Sequence, residues 1–399
     1  MNRHRTGPDA CFFFALTIAL LTAGCSLFRR VPVPPGRTRL ESKLVELPAQ
    51  MISNYLIVES HEDKYGPYHF IIDTGASVTL VSPELARRYP DTSAPQVPAP
   101  QVRVQSAGGD VTLLPSVTLR RIFLGAARFE RVPALVYDCS ALSAHLGIKI
   151  DGVLGFPLFR DTLLTLDYPH SRVLLMPADS SPTSLPGSTI SFNNGRRTPL
   201  IPVTLGDETF IALIDSGSDG PLSLNPVGLH PSFAFGPRDG AAVATLTGDR
   251  PQQVGRVSQS LHIGDYTLLR PVLTLTDELS SLGGAILKNF TVTFDQQDNR
   301  VTFFRPTSAP ILTPSKRSAG LSFDKTPAYW RVVSVVPGSP ADALVQPGDL
   351  CTRINGQPVK SWNLRRYLEL VAKAEKINFT FLRGTHEEDV SVNVFDLVP

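Results

Sequence analysis

Cysteine is scarce in this chain, and so is any excess of charge. Four cysteines occur in 399 residues; Cys11 and Cys25 fall in the N-terminal apolar region, and Cys139 and Cys351 lie far apart. Two distant thiols make neither a disulfide framework nor a metal-like spacing, so buried free thiols are expected. The eight histidines are scattered singly without an HExxH pair, so no zinc site and no cofactor is expected. A net charge of +2 with no basic stripe excludes nucleic acid as a partner. Only two tryptophans occur, Trp330 and Trp362, which leaves the rest of the chain without the aromatic platforms of a two-carboxylate glycosidase. Long runs of helical period are rare as well. Proline, at 35 residues, is frequent; average usage is near 5%. Short strands joined by many turns follow, and the expected fold class is mainly β.

What is present begins with a targeting segment. Arg3 and Arg5 precede "CFFFALTIALL", an apolar run shorter than the roughly 20 residues a bilayer crossing needs. "LTAGCS" follows and resembles a bacterial lipoprotein signal. The resemblance implies that Cys25 becomes the lipidated first residue, with Ser26 fitting outer-membrane sorting. An ordinary secretory signal cut nearby is the alternative. Either way the body of the protein is expected to be exported, lipid-anchored on the periplasmic face of the outer membrane in the first case. The expected segments are a signal over 1–24, a tether over 25–40, two similar halves over 41–178 and 189–306, and a last domain over 319–399. Pro/Ser-rich stretches over 179–188 and 307–318 read as linkers.

The halves can be laid on one another. "FIIDTGASVTLVS" from Phe70 returns as "FIALIDSGSDGPLSL" from Phe210, matching Asp73-Thr74-Gly75 to Asp215-Ser216-Gly217 at a shift of 142. Farther on, a gapless shift of 128 matches "GFPLFRDTLLTLDYPHSRV" to "GGAILKNFTVTFDQQDNRV". The second half therefore reads as the first with fourteen residues fewer in its middle, a duplication rather than a repeated short motif. In each half an apolar strand ends at the aspartate, and glycine then permits a turn that leaves the carboxylate in a cleft.

An apolar strand, Asp-Thr/Ser-Gly and a later apolar-apolar-Gly element (Val153-Leu154-Gly155, with Ser281-Leu282-Gly283 as the weaker copy) resemble the aspartic proteases of the pepsin and retroviral type over roughly residues 41 to 306. The resemblance implies a bilobal acid-protease fold of two β-barrel halves, with Asp73 and Asp215 as the catalytic pair. Two close carboxylates cannot both ionise cheaply, so the pair holds one proton and supplies both a base and an acid to a bridging water. Retroviral enzymes assemble two such loops by dimerising. This chain carries both, so a monomeric catalytic unit acting on protein or peptide substrates is expected. By the same resemblance, Thr74 and Ser216 lock the loops together, Gly75, Gly217 and Ser77 support them, and Asp219 contacts the substrate backbone. Ala76 matches the retroviral pattern and Ser218 the pepsin pattern. A Ser218 hydroxyl donated to Asp215 would leave the charge on Asp215 and the shared proton on Asp73. Gly108 and Gly109, or Gly248, are candidates for a substrate-covering flap, though surface hairpins have the same composition.

The last eighty residues resemble a PDZ domain. Gly320-Leu321-Ser322-Phe323 stands in the place of its carboxylate-binding loop, followed by Ser339-Pro340-Ala341, Pro347-Gly348-Asp349 and Ile354-Asn355-Gly356. "NLRRYLELVAKA" has the period of the helix that walls a peptide groove. The resemblance implies binding of a ligand peptide as an added strand; a docking domain that binds nothing is the other reading. Together these features point to an aspartic endopeptidase whose PDZ domain recruits or positions substrate. The alternative is an inactive peptide-binding adaptor.

Overall fold

The computed structural model describes residues 36–61, 65–91, 101–105, 111–180, 185–240, 243–245, 248–250, 252–326 and 328–399. Cys25 and the N-terminal segment lie outside them. The described chain is mostly β, and no helix in it is long and apolar enough to cross a membrane.

Each half is built on the same three pairings. In the first, strand Tyr68–Asp73 runs parallel to Gly152–Gly155, which lies antiparallel to Thr79–Val81, itself parallel to Ala127–Val136. In the second, Glu208–Ile214 runs parallel to Ser281–Leu282, which lies antiparallel to Leu222–Leu224, itself parallel to Val272–Leu275. Register repeats too: Ile72 faces Leu154 and Ile214 faces Leu282, positions related by the offsets of 142 and 128. All four of these residues are fully buried. Strand Tyr68–Asp73, buried on both faces at Phe70, Ile71 and Ile72, reads as a continuous apolar run, whereas Glu208–Ile214 alternates in burial with Ile211 exposed.

A shared antiparallel sheet joins the halves. Its central strands, Thr162–Asp167 and Thr291–Asp295, put Thr165 opposite Thr293, with their hydroxyls 2.9 Å apart. Arg172–Pro177 and then Val45–Ile52 extend one side, and Val45–Ile52 continues into the first half by pairing with Tyr55–Ser60. Arg300–Phe304 and Ser188–Ser191 extend the other side. Corner ion pairs recur at the same offset, Arg172 Nε to Asp167 at 2.7 Å and Arg300 to Asp295 at 3.1 Å. Phe156, Phe290, Phe294 and Phe303 are buried beneath this sheet, and the Phe156 and Phe294 rings meet edge to face at 5.4 Å across the two halves.

The C-terminal domain is a sheet of strands Leu321–Lys325, Trp330–Val335, Leu350–Ile354, Lys376–Arg383 and His386–Asn393, with helix Leu364–Lys373 packed on it. Asn363 caps that helix by accepting from the Arg366 amide at 2.9 Å. Leu364, Tyr367 and Val371 form its buried stripe. Trp330, Phe379 and Phe381 fill the core.

The stretch expected as a free linker is tied down instead. Ile311–Leu312 adds a parallel strand beside Tyr266–Leu269, and Lys316–Ser318 pairs with Phe395–Val398. Arg256, on a strand of the second half, donates to the carbonyls of Arg270 (2.8 Å), Thr313 (3.0 Å), Pro314 (3.1 Å) and Pro399. Val254 and Val272 are buried there against Val336, Leu397 and Val398. Proline and serine made the stretch look mobile; its two strand pairings and the Thr313 and Pro314 carbonyls on a buried guanidinium hold it in place.

Candidate active site

Asp73 closes its strand and Asp215 follows Ile214, so each carboxylate stands at the turn its glycine makes. Gly75 is required by its neighbour: a Cβ there would lie 2.5 Å from Asp215 Oδ1. A Cβ on Gly217 would overlap the Asp73 carboxyl group. Each loop thus brings its glycine up against the other loop's aspartate, and any side chain would push the carboxylates apart.

A reciprocal grip fixes the loops. The Thr74 amide donates to Ser216 Oγ at 2.9 Å, and the Ser216 amide donates to Thr74 Oγ1 at 3.1 Å. The Thr74 hydroxyl donates to the Ile214 carbonyl at 2.7 Å and the Ser216 hydroxyl to the Ile72 carbonyl at 2.8 Å. Both side chains are fully buried. Four groups that burial would otherwise leave without partners are satisfied by two hydroxyls.

The two carboxylates interact at hydrogen-bond range, and burial raises the pKa of both. Asp73 Oδ1 accepts from the amides of Gly75 at 2.8 Å and Ala76 at 3.0 Å, which favours its charged form and offsets part of that rise. Asp215 accepts from the Gly217 amide at 3.0 Å and is pushed well above the usual aspartate range by burial and by the neighbouring Asp73 charge. Asp215 is raised the more strongly of the two, which favours the shared proton on Asp215 and the charge on Asp73. This reverses the assignment expected from Ser218. Its Oγ accepts from the Gly220 amide at 3.3 Å and lies next to Gly283, turned into its own loop rather than toward Asp215.

The remaining expected residues fall in several places. Ser77 is exposed. Asp219 is held by the first half: Ser53 Oγ donates to its Oδ2 at 2.7 Å, and Asn54 Nδ2 to its carbonyl at 2.9 Å. Ser281 takes its strand position opposite Leu213, and the buried Leu282 supports Ile214 despite the polar neighbour. Gly108 and Gly109 lie outside the described residues. The strands that lead to and from them, Gln101–Gln105 and Val111–Leu124, form a hairpin. Gly248 lies in a two-stranded ribbon, Val243–Thr245 with Gly248–Arg250. Gly320 takes the left-handed backbone (φ +76), Leu321 begins the outer strand of the C-terminal sheet, and a register shift falls between Ser322 and Phe323. Phe323 packs on Trp330 and Tyr367. Cys139 and Cys351 are buried free thiols, each pushed up to about 12, chiefly by burial.

Sequence reasoning missed Ser53 and Asn54, which form the hairpin turn before Tyr55 with both residues at positive φ. Asn at a two-residue turn between apolar strands was the available signal. It also missed Tyr55 and Tyr168, buried tyrosines within electrostatic reach of both aspartates. Burial and the adjacent negative charge raise both phenols, so each stays protonated beside the pair.

Two family models match stretches of the chain. A family model described as "Aspartyl protease" matches residues 60–158, and one described as "PDZ domain" matches residues 318–394. The chain carries an aspartyl protease domain and a C-terminal PDZ domain. No curated protein matches the chain.

Proposed function

We propose that this protein is an aspartic endopeptidase in which Asp73 and Asp215 hydrolyse peptide bonds as a dyad. The observation that carries the reading is the reciprocal Thr74–Ser216 grip, which brings two half-buried carboxylates together with one proton to share. A water held between them loses its proton to Asp73 Oδ while attacking the scissile carbonyl. Asp215 gives its proton to the carbonyl oxygen, so a neutral tetrahedral intermediate forms. Collapse expels the amine, which takes a proton from Asp73, and Asp215 recovers its own from the intermediate's hydroxyl. Both aspartates belong to one chain, which supports a monomeric catalytic unit. The PDZ domain adds a peptide groove and with it a means of recruiting or positioning a substrate. The N-terminal "LTAGCS" supports export and lipid anchoring through Cys25 in the cell envelope.

Digestion of unfolded casein by the purified protein between pH 3 and 7 tests the reading. Cleavage is expected. Binding of casein without cleavage across that range would favour the inactive adaptor.

A further inference from the structure

One helix of the protease domain touches the PDZ domain on one side and the dyad's surroundings on the other. Helix Ser140–Leu146 packs against strand Leu321–Lys325 and against helix Leu364–Lys373, the strand and helix that wall the peptide groove. Leu321–Lys325 is the outer strand of its sheet and pairs, among the described strands, with Trp330–Val335. Its free edge faces the groove. Leu364, from the helical wall, is buried in a cluster with Leu146, Ile150, Cys139, Ile52 and Ile57 of the protease domain. Gly147, which ends the helix at φ +75, approaches Asn363 so closely that a Cβ would lie 2.9 Å from that residue's own.

The same helix builds the wall beside Asp73. Leu142 and Tyr137 belong to the cluster around Leu364 and also to a second cluster on Leu80, Leu135 and Val153. Ala76 and the hairpin residues Val104 and Leu114 pack on that second cluster. The Ala76 amide donates to the Asp73 carboxylate at 3.0 Å. A continuous line of packed side chains therefore runs from the PDZ groove to a group that stabilises the catalytic charge.

We propose that the PDZ groove is an internal socket for helix Ser140–Leu146, and that seating the helix there holds the apolar wall beside Asp73. The catalytic half of this inference rests on the peptidase reading; the socket itself does not. A partner peptide reaches the groove by displacing the helix, so occupancy of the groove and competence of the dyad are opposed, and the groove then restrains the dyad in place of recruiting substrate to it.

Leu364→Arg in the full chain tests this, with hydrogen exchange read by mass spectrometry beside kcat and KM on a short peptide. Amides over 139–147 should exchange at least tenfold faster, strand Lys376–Arg383 should keep its protection, and kcat should fall at least fivefold. Leu364→Met, which keeps the apolar bulk, should restore both readouts. Glu369→Ala, on the exposed face of the same helix opposite its buried stripe, should change neither. Unchanged exchange over 139–147 in Leu364→Arg would overturn the socket. Faster exchange with unchanged kcat would overturn its link to the dyad. Faster exchange in a protein that cleaves no peptide would support the socket while sinking the peptidase reading.

Discussion

The amide of Thr74 donates to Ser216 Oγ, and the amide of Ser216 donates to Thr74 Oγ1, at 2.9 and 3.1 Å. Residues 142 positions apart satisfy each other's buried backbone without water, so neither loop keeps its shape alone. Thr74→Ala or Ser216→Ala leaves one buried N–H and one buried carbonyl unpaired, at about 1–3 kcal/mol for each. Both variants should unfold at lower urea with unchanged m-value and lose at least tenfold in kcat. A variant as stable as the parent would mean that the loops are held by other contacts.

Ser218→Ala should leave the pH profile of kcat/KM where it is. Its hydroxyl serves the Gly220 amide, not Asp215. The acid limb is the first ionisation of the pair and the alkaline limb its second, both macroscopic values of the pair. Burial raises both, so the acid limb should lie above the ordinary aspartate value of about 3.9. A shift of the acid limb by more than about half a pH unit in Ser218→Ala would show contact with the dyad.

Stability should carry the signature of the same burial. A carboxyl whose folded pKa is raised binds more protons folded than unfolded, so stability falls as pH climbs above the unfolded value. Asp215 is raised the more strongly, and Asn in its place removes the cost of ionising the pair. Asp215→Asn should be more stable than the parent at pH 7 by about 0.5–2 kcal/mol, with the gain shrinking toward pH 4. Thermal melts at both pH values check this; a gain that grows on acidification would contradict the raised pKa.

Arg256 tests how the PDZ domain is attached. Its guanidinium satisfies carbonyls of Thr313, Pro314 and Pro399 as well as Arg270. Arg256→Met strips those carbonyls of a buried charged donor, and each such bond contributes about 1.5–3 kcal/mol. Limited proteolysis should then cut within 307–318, which the parent resists. Equal resistance in both proteins would show that the strand pairing alone secures the junction.

Much of the site was legible because its chemistry is local. Asp73, Thr74 and Gly75 recur as Asp215, Ser216 and Gly217, and the offsets of 142 and 128 reappear as matching strand registers. What escaped depends on surfaces distant in sequence. Nothing in "CSALSAHLGIK" marks a helix shared by two domains, because its seven residues are too few to show a period and its partners lie near 321 and 364. Ser218 misled for a related reason: sequence places a hydroxyl near a carboxylate but does not fix its rotamer, which Gly220 decides. Arg256 carries no signal in the sequence, because the groups that accept from it lie near 313 and 399.

The dyad itself is tested most directly by kcat/KM of the parent, Asp73→Asn and Asp215→Asn on one unfolded protein substrate at the parent's optimal pH. Each substitution should lower kcat/KM by at least a thousandfold, on the order of 4 kcal/mol of transition-state stabilisation, with the fold intact by circular dichroism. Retention of more than a tenth of the parent's activity by either folded variant would contradict the account and place the chemistry elsewhere.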